Sequence, residues 1–381
     1  MSTTQPEFDV AVVGSGPAGA NAAFWLAHGG ARVVLVEKAK LPRDKTCGGG
    51  VVRRALHFLP PHFALPAHDE CRTVDMHVAD GATFRVRRSE PVVSMTMRSE
   101  LDLALAEHAV RAGAQLHAAC TVTGLARDEH GLSLVTSLGR VRARCVVAAD
   151  GVLSTTARLS GFEPLVDAVP AYEAEVARAP DERTRGVARF DLWVPRRGYG
   201  WVFPKRAQLS CGVLSMERHA RGLRGELLPY LDRAGVPSDE VVAHGHLIPT
   251  RARSVCARHG VLLCGDAAGL ADPVTGEGIS WALQSGRLAA DALLEHAFEP
   301  YAAGAAYARR LEEHVLPELA VARTLASLLY GRPRVARAVL ARGGSRLCEA
   351  MTSVVAGERT YRGLFASRGR RVALSVAAAL C

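Results

Sequence analysis

Three stretches of the chain combine residue types and spacings that do chemistry. The first is Gly14-x-Gly16-x-x-Gly19, which follows an apolar run and opens a helical pattern. In such a turn the first glycine permits the bend, the second lets backbone approach a pyrophosphate, and the third lets helix and strand pack closely. The helix N-terminus then offers N–H groups and a positive dipole to the phosphates. Glu37, 18 residues beyond Gly19, ends the next apolar run. A carboxylate there accepts hydrogen bonds from the ribose hydroxyls of a dinucleotide and argues against a ribose 2′-phosphate. The second stretch, Lys45-Thr46-Cys47-Gly48-Gly49-Gly50, puts a weakly acidic thiol in a glycine-rich loop. Three consecutive glycines predict close backbone approach to a ligand. The third is Tyr199-Gly200-Trp201-Val202-Phe203-Pro204-Lys205, with seven residues between Pro204 and Gly212. Period-two spacing places Tyr199, Trp201 and Phe203 on one strand face. Such a face fits an aromatic sheet core and an aromatic wall for an apolar ligand equally well.

These residues need elements to position them. Phe8–Val13 reads as a buried strand, Ala18–His28 as a helix closed by Gly29-Gly30, and Ala31–Glu37 as a second buried strand. Strand, turn, helix and strand within about 30 residues form the first unit of a parallel sheet. Thr73–Ala79 and Ala82–Arg87 flank Asp80-Gly81, a hairpin signal. Leu132–Thr136 and Val141–Ala148 form a second pair turning near Gly139, and Ser99–Ala112 between the pairs is helical. Gly186–Val194, Gly200–Phe203 and Leu209–Ser215 are short, aromatic and β-branched, as antiparallel strands are. Val261–Cys264 returns to the buried-strand pattern and Gly278–Ala297 is a long helix. From Tyr307 the chain is mostly helical, with breaks at Gly331-Arg332-Pro333 and Gly343-Gly344. The expected fold is α/β. A Rossmann-like dinucleotide-binding domain comprises 1–70, 99–165 and 255–300. A mostly antiparallel β-sheet substrate domain comprises 71–98 and 166–254, and a C-terminal helical cap comprises 301–381.

With 381 residues, 49% hydrophobic and 22% charged, the chain has globular composition and length for two or three domains of roughly 150 residues. The longest uncharged apolar run, Val372–Cys381, is half of the roughly 20 residues a spanning helix needs. No signal-peptide pattern precedes Val10–Val13, so the cytoplasm is the expected location. The net charge is +9, and all but four of the 47 basic residues are Arg. No basic block alternates with exposed aromatics, so nucleic acid is not an expected partner. From Ala305 to Cys381 there are thirteen Arg and five Glu, ending in Arg368-Gly369-Arg370-Arg371 and the apolar tail. That pattern predicts peripheral contact with an anionic membrane. The nine cysteines show neither Cys-x-x-Cys nor His at ligand spacing, so neither a metal site nor a disulfide framework is expected.

Further motifs narrow the cofactor. Val261-Leu-Leu-Cys-Gly265-Asp266-Ala-Ala-Gly269 is a strand entering a turn, and Pro273-Val-Thr-Gly276-Glu277-Gly278 opens a helix. With Val146-Val-Ala-Ala-Asp150-Gly151 and with Arg98 before the Ser99 helix, they resemble the flavoprotein monooxygenase-like superfamily. The resemblance implies FAD. Its binding residues would be Gly14, Gly16, Pro17, Ala18, Gly19, Glu37, Lys38, Cys47, Gly48, Gly49, Arg98, Asp150, Gly151, Gly265, Asp266, Pro273, Gly276 and Gly278. The helix after Gly278 would face the flavin and stabilise negative charge on its reduced form.

Within that superfamily, Cys47-Gly-Gly-Gly50 and Tyr199-x-Trp201-x-Phe203-Pro204 resemble signatures of the geranylgeranyl reductase family, as does the helical tail with Gly357-Glu-Arg-Thr-Tyr361. The family saturates isolated double bonds of polyprenyl chains. An isolated alkene has no carbonyl to accept negative charge, so hydride from flavin N5 must be matched by proton delivery to the neighbouring carbon. The resemblance gives Cys47 that role or a flavin-redox role, with Tyr199 and Trp201 also catalytic through cation–π stabilisation of developing positive charge. The substrate wall would be Tyr199, Trp201, Phe203, Pro204 and Gly212. The family continues with glycine where this chain has Leu214, which predicts added bulk along the path of the prenyl chain. A flavin-dependent hydroxylase or halogenase is the rival; halogenases carry Trp-x-Trp-x-Ile-Pro, which Tyr199 and Phe203 break. No second Gly-x-Gly-x-x-Gly follows a strand, leaving the electron donor open between NAD(P)H and a ferredoxin-like carrier.

Overall fold

The computed structural model describes residues 6–78, 81–177, 181–237 and 241–366. In chain order the first elements are β1 (Phe8–Val13), α1 (Pro17–His28), β2 (Val33–Val36), β3 (Gly50–Val52), β4 (Asp69–Cys71), β5 (Thr73–Val78), β6 (Thr83–Arg87) and β7 (Val93–Met95). Next come α2 (Arg98–Arg111), β8 (Gln115–His117), β9 (Val122–Asp128), β10 (Gly131–Thr136), β11 (Gly139–Ala148), α3 (Thr155–Leu159), β12 (Ala168–Val176), β13 (Val187–Leu192), β14 (Gly198–Lys205) and β15 (Gln208–Ser215). The remainder is α4 (Leu223–Ala234), β16 (His244–Pro249), β17 (Ala257–Arg258), β18 (Val261–Leu263), α5 (Ile279–Glu295), α6 (Pro300–His314), α7 (Leu316–Gly331), α8 (Pro333–Val355) and α9 (Tyr361–Leu364).

The strands form three sheets among the described residues. In the first, β18, β11, β1, β2 and β8 run parallel, and β1, β2 and β18 are almost wholly buried. Burial on both faces is why these strands read as continuous apolar runs. Helices α1 and α5 cross closely because Gly286 lies against the Ala18 carbonyl, where a Cβ would overlap it. β11 does two jobs. Its first half pairs antiparallel with β10, as the sequence predicts, but Cys145–Ala148 continue into the parallel sheet between β1 and β18. Their full burial, 0% exposure at each, is what extends the strand beyond the hairpin.

The second sheet has the order β16-β12-β15-β14-β13-β5-β6 and is antiparallel except at β13–β5. The third, β3-β7-β4, is antiparallel and small. It straddles the division at residue 70, because β4 ends at Cys71 and β7 lies at Val93–Met95. The three-part division of the chain given above stands as our proposal for its domains. Of the two breaks expected in the helical region, Gly331-Arg332-Pro333 separates α7 from α8, whereas α8 runs through Gly343 with a kink. The next residue, Gly344, abuts the Phe84 ring of β6, with no room for a side chain. Among the described residues no helix is long and apolar enough to cross a membrane.

Candidate active site

The three sheets and the helical region converge on a cavity of about 730 Å³. At one end the β1–α1 turn lies beside the end of β2 and the β11–α3 turn. Gly14 has φ 97° and sits against the Ala149 carbonyl, so only glycine fits. Gly16, the N-cap of α1, carries no side-chain cap. A Cβ there would meet only the guanidinium tips of Arg98 and Arg43, at 3.8 and 3.9 Å. Glu37 is buried; it accepts Ser15 N–H at 2.9 Å, Ser15 Oγ–H at 2.8 Å and Ala39 N–H at 3.0 Å. Burial opposes its ionisation, but these donors and Arg43 hold it below the usual carboxylate range. Arg98 pairs with Asp102 through two hydrogen bonds of 2.9 and 2.8 Å, and Arg43 joins the same carboxylate at 3.1 Å.

This end fits FAD. Two features recommend it: the N-termini of α1 and α5, both opening on the cavity with no cap from the N-cap residue and with only the Ser280 N–H of α5 taken, by Glu277, and the guanidinium groups of Arg98 and Arg43, which reach the Gly16 cradle while paired with Asp102. Pro17, Ala18, Lys38, Cys47, Gly48, Gly49, Gly151, Gly265, Asp266, Gly276 and Gly278 all line the cavity. Asp266 stays ionised. Burial opposes it, but His246, 3.9 Å away, and the charges of Lys45 and Arg98 outweigh that cost.

Several expected residues act differently. Gly19 does not line the cavity, because its Cα packs on the Gly14 carbonyl beneath the turn. Pro273 is buried and does not line the cavity. Pro204 occupies the opposite face of β14 from Phe203, as strand alternation requires. Gly212 is covered by the Trp201 indole, so it seats that ring instead of touching a ligand. Asp150 lines the cavity, but its carboxylate accepts Thr156 N–H and Oγ1–H, both at 2.9 Å, and the Ser154 hydroxyl, fixing the start of α3. The three glycines after Cys47 all line the cavity, and the fold also packs against them. At Gly48 a Cβ would meet the Phe203 and Trp201 rings, at Gly49 the Thr96 carbonyl, and at Gly50 Val93. Packing by itself requires glycine only at Gly49, which has φ 73° and lies on the Thr96 carbonyl.

Tyr199, Trp201 and Phe203 share one face as expected, with ring centroids 6.0 and 6.2 Å apart in sequence order. Phe190 on β13 completes the wall, 5.7 Å from Tyr199 and 5.3 Å from Phe203. All four line the cavity, which continues past them along Leu329, Met351 and Val355 of the helical region. Leu214 does not line it. It is fully buried beside Tyr199, its cross-strand neighbour on the same sheet face, and touches the Gly276 turn.

The turn before α5 is anchored from the helical region. Tyr361 donates to both oxygens of Asp272 at 3.1 and 2.8 Å, Tyr330 donates to the Val274 carbonyl at 2.7 Å, and the Tyr199 hydroxyl donates to the Thr275 carbonyl. The Tyr199 proton is therefore committed, and burial pushes that phenol above its ordinary value. Arg54 holds Glu277 at 2.8 Å and Asp272 at 3.6 Å while stacking on Trp281, 4.3 Å from its centroid.

Sequence reasoning missed Arg43, Arg54, Asp102, Phe190, Tyr330, Asp272 and His246, none of which belongs to a recognisable motif. Lys45 stood beside Cys47 in plain sight; its Nζ lies 3.2 Å from His246 Nε2, and burial together with the Arg98 charge pushes its ammonium down. Glu173 was missed too. Its carboxylate accepts the Cys47 backbone N–H inside the cavity, and its one sequence signal was an acid at an inward position of an apolar strand.

A FAD binding domain family matches residues 7–220, which with this site makes the protein a FAD-dependent oxidoreductase. The digeranylgeranylglycerophospholipid reductase 1 of Methanopyrus kandleri is 32% identical over 81% of this chain and 85% of its own. The menaquinone reductase of Mycolicibacterium smegmatis is 30% identical over 84% of each chain. A geranylgeranyl bacteriochlorophyll reductase-like protein from Thermoplasma acidophilum shares the fold at TM-score 0.76, with 23% identity over 86% of this chain and 88% of that one. A flavin-dependent brominase shares it at TM-score 0.71, with 18% identity over 92% and 93%. The chain belongs to the geranylgeranyl reductase family.

Proposed function

We propose that this protein saturates isolated C=C bonds in the polyprenyl chain of a lipid or an isoprenoid quinone. One observation carries the reading. The dinucleotide cradle and the aromatic wall open into one cavity, and beyond the wall its lining is mostly apolar, with Leu329, Met351 and Val355. When bound, FAD supplies the hydride. The chain's own groups do the rest: Gly16, Arg43 and Arg98 receive the pyrophosphate, Glu37 the ribose, and Asp266 and the α5 N-terminus orient the flavin. The wall of Tyr199, Trp201, Phe203 and Phe190 excludes water and presents π faces to positive charge developing on the alkene. The proton arrives from the Cys47 side of the cavity. We also propose NAD(P)H or a ferredoxin-like carrier as electron donor.

The test is a panel incubation of purified holoenzyme, reduced under anaerobic conditions, with digeranylgeranyl glycerophospholipid, menaquinone, geranylgeranyl diphosphate and a phytyl precursor. Products gaining 2 Da per double bond, read by mass spectrometry, are expected. A protein that takes up no FAD, or that yields peroxide and hydroxylated or halogenated product in air, overturns the proposal.

A polyprenyl chain must be met where it dissolves, so we propose peripheral binding to an anionic membrane. The cluster Arg368 to Arg371 and the tail Val372–Cys381 lie outside the described residues. Within them, α8 exposes Val335 and Val339 among the exposed Arg332, Arg334, Arg342 and Arg346. Each arginine contributes roughly 1 kcal/mol at an anionic surface. Co-sedimentation with anionic vesicles is expected to be salt-sensitive and weaker for a chain ending at Ser367. Indifference to lipid charge and salt would end this proposal alone.

A further inference from the structure

The double bond needs a proton source, and besides the Cys47 thiol the cavity holds a buried carboxyl beside the same loop. Glu173, on β12, is 6% exposed and lines the cavity. Strand register aligns it with the aromatics: Trp201 pairs with Gly212 on β15, and Gly212 pairs with Glu173. Gly212 has no side chain, and the Trp201 indole lies across the gap. The acid and the indole thus face each other on one side of the sheet, with the Cys47–Gly49 loop above them. The other acids that line the cavity and are buried or half-buried are already committed. Glu37 serves the ribose end, Asp150 caps α3, Asp266 sits with His246, and Glu277 is held by Arg54.

Resting on the reductase reading above, we propose that the Glu173 carboxylic acid delivers the proton to the alkene carbon adjacent to the one that takes the hydride. The alkene π pair takes the Glu173 proton at one carbon, leaving a carboxylate and positive charge developing on the neighbouring carbon. That carbon takes the hydride that reduced FAD, made by a two-electron donor (dithionite in the test), would supply, so that oxidised FAD and a saturated bond would remain. Glu175, two residues along the same strand face and 29% exposed, offers the route by which solvent restores the proton.

The surroundings favour the acid form. Burial first, then the Glu175 carboxylate, push the Glu173 carboxyl up to about 7, against Lys205, the Cys47 N–H and Lys45. Facing it besides these are His244, opposite on β16, and His246 beyond it. A carboxyl whose native value is raised binds more protons folded than unfolded between about 4.3 and its native value. Wild type therefore loses stability relative to Glu173→Gln as pH rises through that window, and the gap is constant above it.

Two measurements test this on the FAD-loaded protein. In anaerobic single turnover with digeranylgeranyl glycerophospholipid and menaquinone as probes, Glu173→Gln should bind FAD and accept electrons normally, yet reoxidise about 100-fold or more slowly. The wild-type rate should fall as pH rises above about 7, while the residual rate of the variant stays flat. Cys47→Ala keeps the N–H that holds Glu173 and should lose less than Glu173→Gln. Independently of turnover, the melting temperature of Glu173→Gln relative to wild type should rise by several degrees, on the order of 5 °C, between pH 5 and pH 8. Reoxidation of Glu173→Gln at the wild-type rate, a greater loss in Cys47→Ala, or a melting gap independent of pH would each overturn the assignment. Failure of wild type on both probes would instead remove the reductase reading and the proton role with it.

Discussion

Gly16→Val is expected to leave a folded protein that no longer holds FAD. Gly16 has φ −69° and ψ −178°, ordinary extended backbone that valine adopts without strain. Its added Cβ would meet only the Arg98 and Arg43 guanidinium tips at 3.8 and 3.9 Å, ordinary contact distances. The side chain therefore fills the cradle and nothing else. Two charge-assisted contacts to the pyrophosphate would be lost, a weakening of about 100-fold or more, or roughly 3 kcal/mol. Gly19→Val, three residues on, should behave differently, because its Cβ would overlap the Gly14 carbonyl and Ala149 behind the turn. There the fold itself should fail, with little folded protein recovered. Flavin absorbance after reconstitution and circular dichroism on the same samples separate the two. Retention of FAD by Gly16→Val with wild-type affinity would remove the pyrophosphate from this turn.

Arg54→Met should cost about 3–5 kcal/mol of stability, the typical result of stripping a buried ion pair of one partner. Glu277 and Asp272 are 9% and 1% exposed, so neither regains water when the guanidinium goes. Stacking on Trp281 is lost as well. Asp272 also receives the Tyr361 hydroxyl, so the loss should also loosen the helical region from the cavity. Arg54→Met/Glu277→Gln should recover part of the deficit, since one of the stranded charges is then gone. Chemical denaturation of the three proteins reads this directly. A deficit under about 1 kcal/mol in Arg54→Met would show that solvent reaches the pair.

The sequence by itself determined a great deal here because some requirements are local. A turn that must bend at Gly14 and leave room at Gly16 can be made only by glycines at that spacing, and Glu37 follows at the end of the next strand. Period-two alternation likewise put Tyr199, Trp201 and Phe203 on one face before any partner strand was known. Buried parallel strands announced themselves as apolar runs. In each case the physical constraint acts over one turn, one helix or one strand, so it leaves its mark on neighbouring letters.

Only the tertiary structure decided what those residues face. Glu173 and Trp201 are 28 positions apart, yet across Gly212 they confront one another, because β15 lies between their strands. Arg54 meets Glu277 across more than 200 residues, and Tyr361 reaches Asp272 from the last helix described. The glycines after Cys47 look from the sequence like space for a ligand; they line the cavity, and only the fold shows that they also make room for Phe203, Trp201, Thr96 and Val93. Burial and ionisation belong to the assembled cavity. An acid in the run Ala-Tyr-Glu-Ala-Glu-Val reads as an ordinary glutamate until low-dielectric walls close around it and a second carboxylate is set beside it.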